Sequence, residues 1–320
     1  MRTFVRSAKR GTGPNYRKSG EIRSCPLLAL LARDNRLVKY LRPGGLLLLA
    51  AVLLPGADSF RFVLLGDRTG ETQPGIYARV WQEVARENPA FVVSVGDTIP
   101  GLRDDKAESE WMDAERVIAP YSAFLLYLAP GNHDVWSPWS ESLFRKYSGH
   151  ALHYSFDYMQ AHFTILDNSR SDQFSPGELT FLEADLQAHA AQPLKFIVSH
   201  RPSWLVDVIM NQSDFALHRI AKKYGVQYVI AGHVHEMLHA DLDGVSYTSL
   251  PSAGGGLRAT KKYEDGWFFG YTVVEAGAKS AEFQVKELKA PYGSGRVSEL
   301  KAWGKSGLVI ATAEPERVSH

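Results

Sequence analysis

The sequence has one cysteine, Cys25, in 320 residues. That excludes an internal disulfide framework and any metal or cluster site built on several thiolates. Long apolar runs are also missing. The longest, Leu46–Leu54, falls far short of the roughly 20 residues that cross a bilayer, so no stable membrane span is expected in the mature chain. There is no internal repeat and no low-complexity segment, which removes solenoids and extended linkers from consideration. An overall excess of either charge is lacking too, since the formal net charge is +1.

That near-zero balance conceals an asymmetry. Eleven of the 36 Lys and Arg precede Asp58, against two of the 35 Asp and Glu. Residues 58–320 therefore carry 25 basic and 33 acidic side chains, a net of −8. An acidic body disfavours a general nucleic-acid surface. Arg36, Lys39 and Arg42 precede the apolar run, and Pro55-Gly56-Ala57 follows it. A basic segment, a short apolar stretch and a small-residue end describe a secretory signal peptide. The expected organisation is a leader over 1–57, a folded domain over 58–290 and a C-terminal tail over 291–320, with the protein secreted or periplasmic. A buried helix of the domain is the competing reading of Leu46–Leu54. Mass spectrometry of the mature protein should find a start near Asp58, and intact Met1–Leu54 on folded protein would overturn the signal peptide.

Five apolar runs, each as long as a buried strand, end in residues that can ligate metal: FVLLGDRTG with Asp67, FVVSVGDT with Asp97, YLAPGNHD with Asn132, His133 and Asp134, FIVSH with His200, and YVIAGHVH with His233 and His235. Buried parallel strands of an α/β sheet have this character, and ligands bind beyond their carboxyl ends. Five such strands bring three Asp, one Asn and four His to one sheet edge, which points to a binuclear metal site. Imidazole, carboxylate and amide oxygen suit Mn, Fe, Zn or Co.

Segments of helical character lie between these strands: 75–88 with Ile76, Val80 and Val84 on one face, 104–118 with acids at its start, Ser175 capping a helix to about His189, and 213–224 before Gly225. Hairpin patterns occupy 153–167 and 237–250, the second around Asp243-Gly244, and strands are expected at 267–275 and 281–288. The pattern is βαβαβ followed by mixed β and α.

The order GD…GD…GNHD…H…GHxH resembles the calcineurin-like metallophosphoesterases over roughly residues 60–275. The resemblance implies an α/β fold, a two-sheet β-sandwich flanked by helices, and hydrolysis of phosphate mono- or diesters by a metal-bridging hydroxide. Residue by residue it makes Asp97 the bridge between two divalent ions. Asp67 and His235 go to metal one, and Asn132, His200 and His233 to metal two. His133 becomes the general acid, with Asp134 fixing its tautomer. A small phosphoester is the implied substrate.

One position departs from that family. Its first motif carries Asp-x-His, whereas Thr69 stands at the His position in Gly66-Asp67-Arg68-Thr69-Gly70. Purple acid phosphatases also lack this His and have a Tyr three residues after the bridging Asp; here that residue is Pro100. The sequence thus argues for a weaker first metal and against a tyrosinate-iron centre. A single-metal, catalytically weak phosphate- or nucleotide-binding protein is the alternative. Arg68 and Arg201, each beside a ligand, can clamp phosphate oxygens, with salt bridges to the acidic surface as the competing role. Trp136, Trp139 and Trp204 follow ligand motifs and either pack loops or wall the pocket. Gly254-Gly255-Gly256 either makes a turn or offers amides to substrate. The remaining histidines match no motif, and His153 and His239 are the candidates to replace the missing imidazole.

Overall fold

Strand β1 (Phe60–Leu65) shows why the apolar runs are unbroken. Phe60, Phe62 and Leu64 face a second sheet, while Val63 and Leu65 pack beneath helix α1 (Ile76–Glu87) against Val80, Trp81 and Val84. Apart from the exposed Arg61 near its start, both faces are dry, so the alternation of a half-exposed strand is absent. The computed structural model describes residues 59–258 and 260–304, all in one compact unit. The expected leader, with Cys25, and the last part of the expected tail lie outside the described residues.

β1, β2 (Phe91–Ser94) and β3 (Leu125–Leu128) run parallel, joined through α1 and α2 (Asp104–Ile118), as the βαβαβ pattern predicts. In the other half, β4 (Tyr154–Tyr158) and β5 (Ala161–Ile165) form the expected hairpin. β5, β6 (Leu194–Val198), β7 (Tyr228–Ala231) and β9 (Val245–Ser249) are parallel, and β8 (Leu238–Leu242) pairs antiparallel with β9. β10 (Gly270–Ala276), β11 (Ala281–Glu287) and β12 (Val297–Glu299) extend the first sheet. Its order is β12-β11-β10-β1-β2-β3, and that of the second is β4-β5-β6-β7-β9-β8. Between the sheets Phe62 meets Phe163 and Phe196 edge-on, with ring centroids 5.2 and 5.4 Å apart. The fold is the expected α/β two-sheet sandwich with helices outside.

Helices α3 (Pro138–Ser148), α4 (Pro176–Ala188), α5 (Leu205–Ile209) and α6 (Ala216–Tyr224) complete the set. α4 begins as its sequence dictates, with Ser175 Oγ accepting from the Glu178 amide at 3.2 Å. Pattern reading missed α3, although its signals are local. Ser137 caps it, Pro138 opens it, and Gly149 closes it with φ 73°. The expected tail needs correction. Residues 291–304 belong to the domain, because β12 pairs with β11 and Trp303, buried, packs on Phe268 at 4.8 Å. Among the described residues no helix is long and apolar enough to cross a membrane.

Candidate metal centre

The loops beyond the carboxyl ends of β1, β2, β3, β6 and β7 converge, and with them all the residues expected to ligate. Asp67, Asp97 and His235 bring ligand atoms within 4.8 Å of one another, and so do Asp97, His200 and His233. Asp97 belongs to both groups, as a bridging carboxylate must. Asn132 joins the second. His200 Nε2 lies 3.0 Å from Asn132 Oδ1, 3.1 Å from His233 Nδ1 and 3.3 Å from Asp97 Oδ1.

The rings are preset for ligation. His200 Nδ1 is held by the Val95 carbonyl at 2.9 Å and His235 Nδ1 by the Gly256 carbonyl at 2.5 Å. Each bond leaves Nε2 as the lone-pair nitrogen, the usual way a neighbour orients a ligating imidazole. His235 Nε2 is buried without a hydrogen-bond partner and lies 3.6 Å from Asp67 Oδ1. An orphaned buried nitrogen facing a carboxylate calls for a proton or a cation between them, and three imidazoles and two carboxylates with an amide oxygen are a donor set that fits a divalent ion. Three of the donors are held in the left-handed region, with φ 54° at Asp97, 70° at His233 and 60° at His235. Each such residue costs about 1–3 kcal/mol unless its surroundings enforce it. Here they do. Asp97 O accepts the Arg68 and Thr69 amides, and the His233 amide donates to the Asp67 carboxylate at 3.0 Å.

Burial would raise the Asp97 carboxyl, but the charge and hydrogen bond of His200, with His133, hold it far below the usual range. Against its own burial, His200 is raised to about 9, chiefly by Asp97. Burial, with His200 and Arg201, pushes His233 down to about 4. Without a metal His200 therefore favours its protonated form, and a ligated cation must displace that proton.

Thr69 does not complete the first group. Its buried hydroxyl turns to Thr72 Oγ1 at 3.0 Å. His153 and His239 do not complete it either: the first bonds Glu178 at 2.6 Å, the second lies 3.5 Å from Asp241, and both are absent from the groups around Asp67. A positive group is there instead. A Cβ placed on Gly70 would lie 2.1 Å from Arg258 Nη2 and 2.8 Å from His235 Cε1, so the exposed Arg258 guanidinium stands beside this group. No local pattern points to Arg258; only the fold brings it here.

The expected role of Asp134 needs correction. Its carboxylate accepts the Thr98, Ile99 and Gly131 amides at 2.7, 3.2 and 3.0 Å. It is spent on tying the β2 and β3 loops together. Burial and the Asp97 charge push it up to about 7. The His133 ring is oriented by the Pro100 carbonyl at Nδ1 instead, and its amide donates to Asp97 Oδ1 at 2.8 Å.

Arg68 donates to the Thr98 carbonyl at 2.6 Å and lies over the Tyr77 ring, so it braces two loops. Arg201 borders a cavity of about 440 Å³ shared with His233, Asp172 and Val206, and its Nη1 pairs with Asp172 at 2.5 Å. Its buried Nε has no partner. Trp204 is core, packed on Tyr247, while Trp139 is exposed. The three glycines offer no free amide. Gly254 N goes to Ser252 Oγ, Gly255 N to Asp67 O and Gly256 N to Gly70 O. Their smallness is what matters, since a Cβ on Gly255 would lie 2.1 Å from the Thr69 carbonyl.

Close approach also explains the Gly of GNHD. A Cβ on Gly131 would sit 2.1 Å from Asp97 N and 2.3 Å from its Oδ1, and neither the backbone nor a ligating oxygen can yield cheaply. Gly131→Ala should cost about 2 kcal/mol or more of stability and shift Asp97. A thermal melt with metal analysis checks it, and wild-type values for both would refute the argument.

No curated protein matches the sequence. Solved structures similar to it include a purple acid phosphatase from yellow lupin (Lupinus luteus) seeds, and GAP50, the anchor in the inner membrane complex of Plasmodium. The first is 16% identical with a TM-score of 0.56, over 76% of this chain and 53% of that one. The second is 17% identical with a TM-score of 0.54, over 80% and 94%. The chain thus spans about half the length of the lupin enzyme, and at these identities the likeness is one of fold. The family model for calcineurin-like phosphoesterases matches residues 60–237, from the first strand to just past His235 and more than half of the chain. With the ligand loops converging as described, the chain belongs to the calcineurin-like phosphoesterase family, metal-dependent hydrolases of phosphoric ester bonds.

Proposed function

We propose that the protein is an exported phosphoesterase for small phosphate mono- or diesters, with its chemistry at the Asp97-centred site. The observation that carries this is the pair of donor groups sharing Asp97. When bound there, two divalent ions polarise a phosphoryl oxygen and bring the pKa of a bound water near neutrality.

The protein's own residues orient and protonate. His133 Nδ1 is tied to the Pro100 carbonyl, so the ring turns Nε2 towards the site, 4.0 Å from Asp97 Oδ2. With only 17% of its side chain exposed, it can hand a proton to the departing ester oxygen without losing it to bulk water. Arg201 holds a phosphate oxygen or the substrate's non-transferred part from the wall of the cavity beside His233. Its Asp172 partner is 78% exposed and can release it. Arg201→Ala should therefore raise KM about tenfold or more, the worth of one charge-assisted hydrogen bond, and alter kcat less. Steady-state kinetics showing unchanged KM would remove Arg201 from the binding role.

The deciding experiment combines elemental analysis with assays on aryl phosphate mono- and diesters. Two metal equivalents with turnover support the proposal. One equivalent with phosphate binding and no turnover supports the alternative of a single-metal binding protein, which the Thr69 position favours because it removes an imidazole from the first metal.

A further inference from the structure

We propose a second, peripheral metal site formed by Asp157, His162 and His189, taking zinc or a similar borderline divalent cation. Asp157 and His162 are directly opposed on the β4–β5 hairpin, and His189 is the C-cap of α4. The hairpin pair faces Lys195 at the amino end of β6, whereas His200 follows the carboxyl end of that strand, so the two sites occupy opposite ends of the sheet.

The hydrogen bonds prepare this cluster much as they prepare the catalytic imidazoles. His162 Nε2 is bonded to Asp185 Oδ2 at 2.9 Å; that carboxylate also accepts from Thr164 at 2.6 Å and Ser155 at 2.7 Å, which fixes it as acceptor. His189 Nδ1 donates to the Asp185 carbonyl at 2.8 Å. One nitrogen of each ring is thus spent on an orienting oxygen, and the other faces the same carboxylate. His162 Nδ1 lies 2.7 Å from Asp157 Oδ1, and His189 Nε2 lies 3.9 Å from Asp157 Oδ2. The three ligand atoms lie within 4.8 Å of one another.

A lone-pair nitrogen 2.7 Å from a carboxylate oxygen is repulsive unless a positive charge lies between, and two carboxylates flank the buried His162. A proton or a cation supplies that charge. Lys195, the nearest ammonium by strand register, is committed to the Ala190 and Gln192 carbonyls. Two imidazoles and a carboxylate, with one position open to water, make a common zinc set with bonds of about 2.0–2.2 Å. Tetrahedral bonds of that length separate ligand atoms by roughly 3.3 Å, so Asp157 must draw back a little and His189 must turn out of its stack on His162 at 3.9 Å. Both have room, with side chains 42% and 32% exposed. The site clips the outer hairpin of the second sheet to the end of α4, at the opposite end of β6 from His200.

The test is a zinc titration of the chelator-stripped full-length chain against a chromophoric chelator, for wild type, Asp157→Asn, His189→Ala and Asp97→Asn. The first two variants should each bind one zinc equivalent fewer than wild type, with hydrolysis of aryl phosphates unchanged. Asp97→Asn should lose catalytic zinc and keep the peripheral equivalent. Both peripheral positions are partly exposed, and circular dichroism establishes that the variants are folded. Equal stoichiometry in wild type, Asp157→Asn and His189→Ala would overturn the proposal and leave the cluster as an ion-pair network held by a proton.

Discussion

His133→Ala should retain its metal and lose turnover by about 10²–10⁴-fold, the range for removing a general acid. Metal content is expected to survive because His133 belongs to neither donor group, and its link to Asp97 runs through the backbone amide, which alanine keeps. The loss should shrink for nitrophenyl esters, whose leaving oxygen needs little protonation, and grow for alkyl esters. Since Pro100 O holds the ring at Nδ1, proton donation falls to Nε2. His133→Gln, which can donate a hydrogen bond but no proton, should behave as alanine does towards poor leaving groups. A loss independent of the leaving group would remove His133 from the acid role and leave it a binding residue.

The second large effect concerns Asp97 and Thr69. Asp97 is shared by both donor groups, so Asp97→Asn should weaken both metals together, by about 10²-fold or more, since even a partner behind a ligand is worth 10–100-fold. On the proposed assignment the first metal would have only Asp67, Asp97 and His235, with Thr69 turned towards Thr72. It should be the ion lost first on dialysis against chelator, and adding Mn²⁺ should restore activity. Thr69→His should tighten that site about tenfold, or roughly 1.4 kcal/mol. To do so the ring must replace the Thr69–Thr72 contact and share the space beside Arg258 and His235. Isothermal titration with the stripped protein measures both ions. Two equivalents surviving chelator in the wild type, with no gain in Thr69→His, would mean that the first metal needs no fourth protein ligand.

The convergence of the candidate donors was legible because the parallel strands fix their place at one end of the sheets. Apart from Asn132, whose strand β3 leaves Leu125 exposed, each donor follows a strand whose buried faces force a run of Val, Ile, Leu and Phe, and such a run is visible without a structure. The β4–β5 and β8–β9 hairpins were legible through their turn residues and alternation. Helix α3 was missed although Ser137, Pro138 and Gly149 mark both its ends, because it follows the Asn132–Asp134 motif so closely that the segment looked like loop.

By itself, then, the sequence determined the types of the candidate donors, their order, the strands that present them and the threonine at position 69 where the family carries a histidine. Tertiary structure alone decided which atoms those residues can offer. The Val95, Gly256 and Pro100 carbonyls select the tautomers of His200, His235 and His133, and all three come from other loops. It also turned Asp134 from a histidine's partner into an anchor for three amides, brought Arg258 beside His235, and joined Asp157 and His162 to a helix end at His189. The physical reason is the same each time. A hydrogen bond or a shared cation depends on approach within about 3 Å, and for residues distant in the chain only the packing of the two sheets sets that approach.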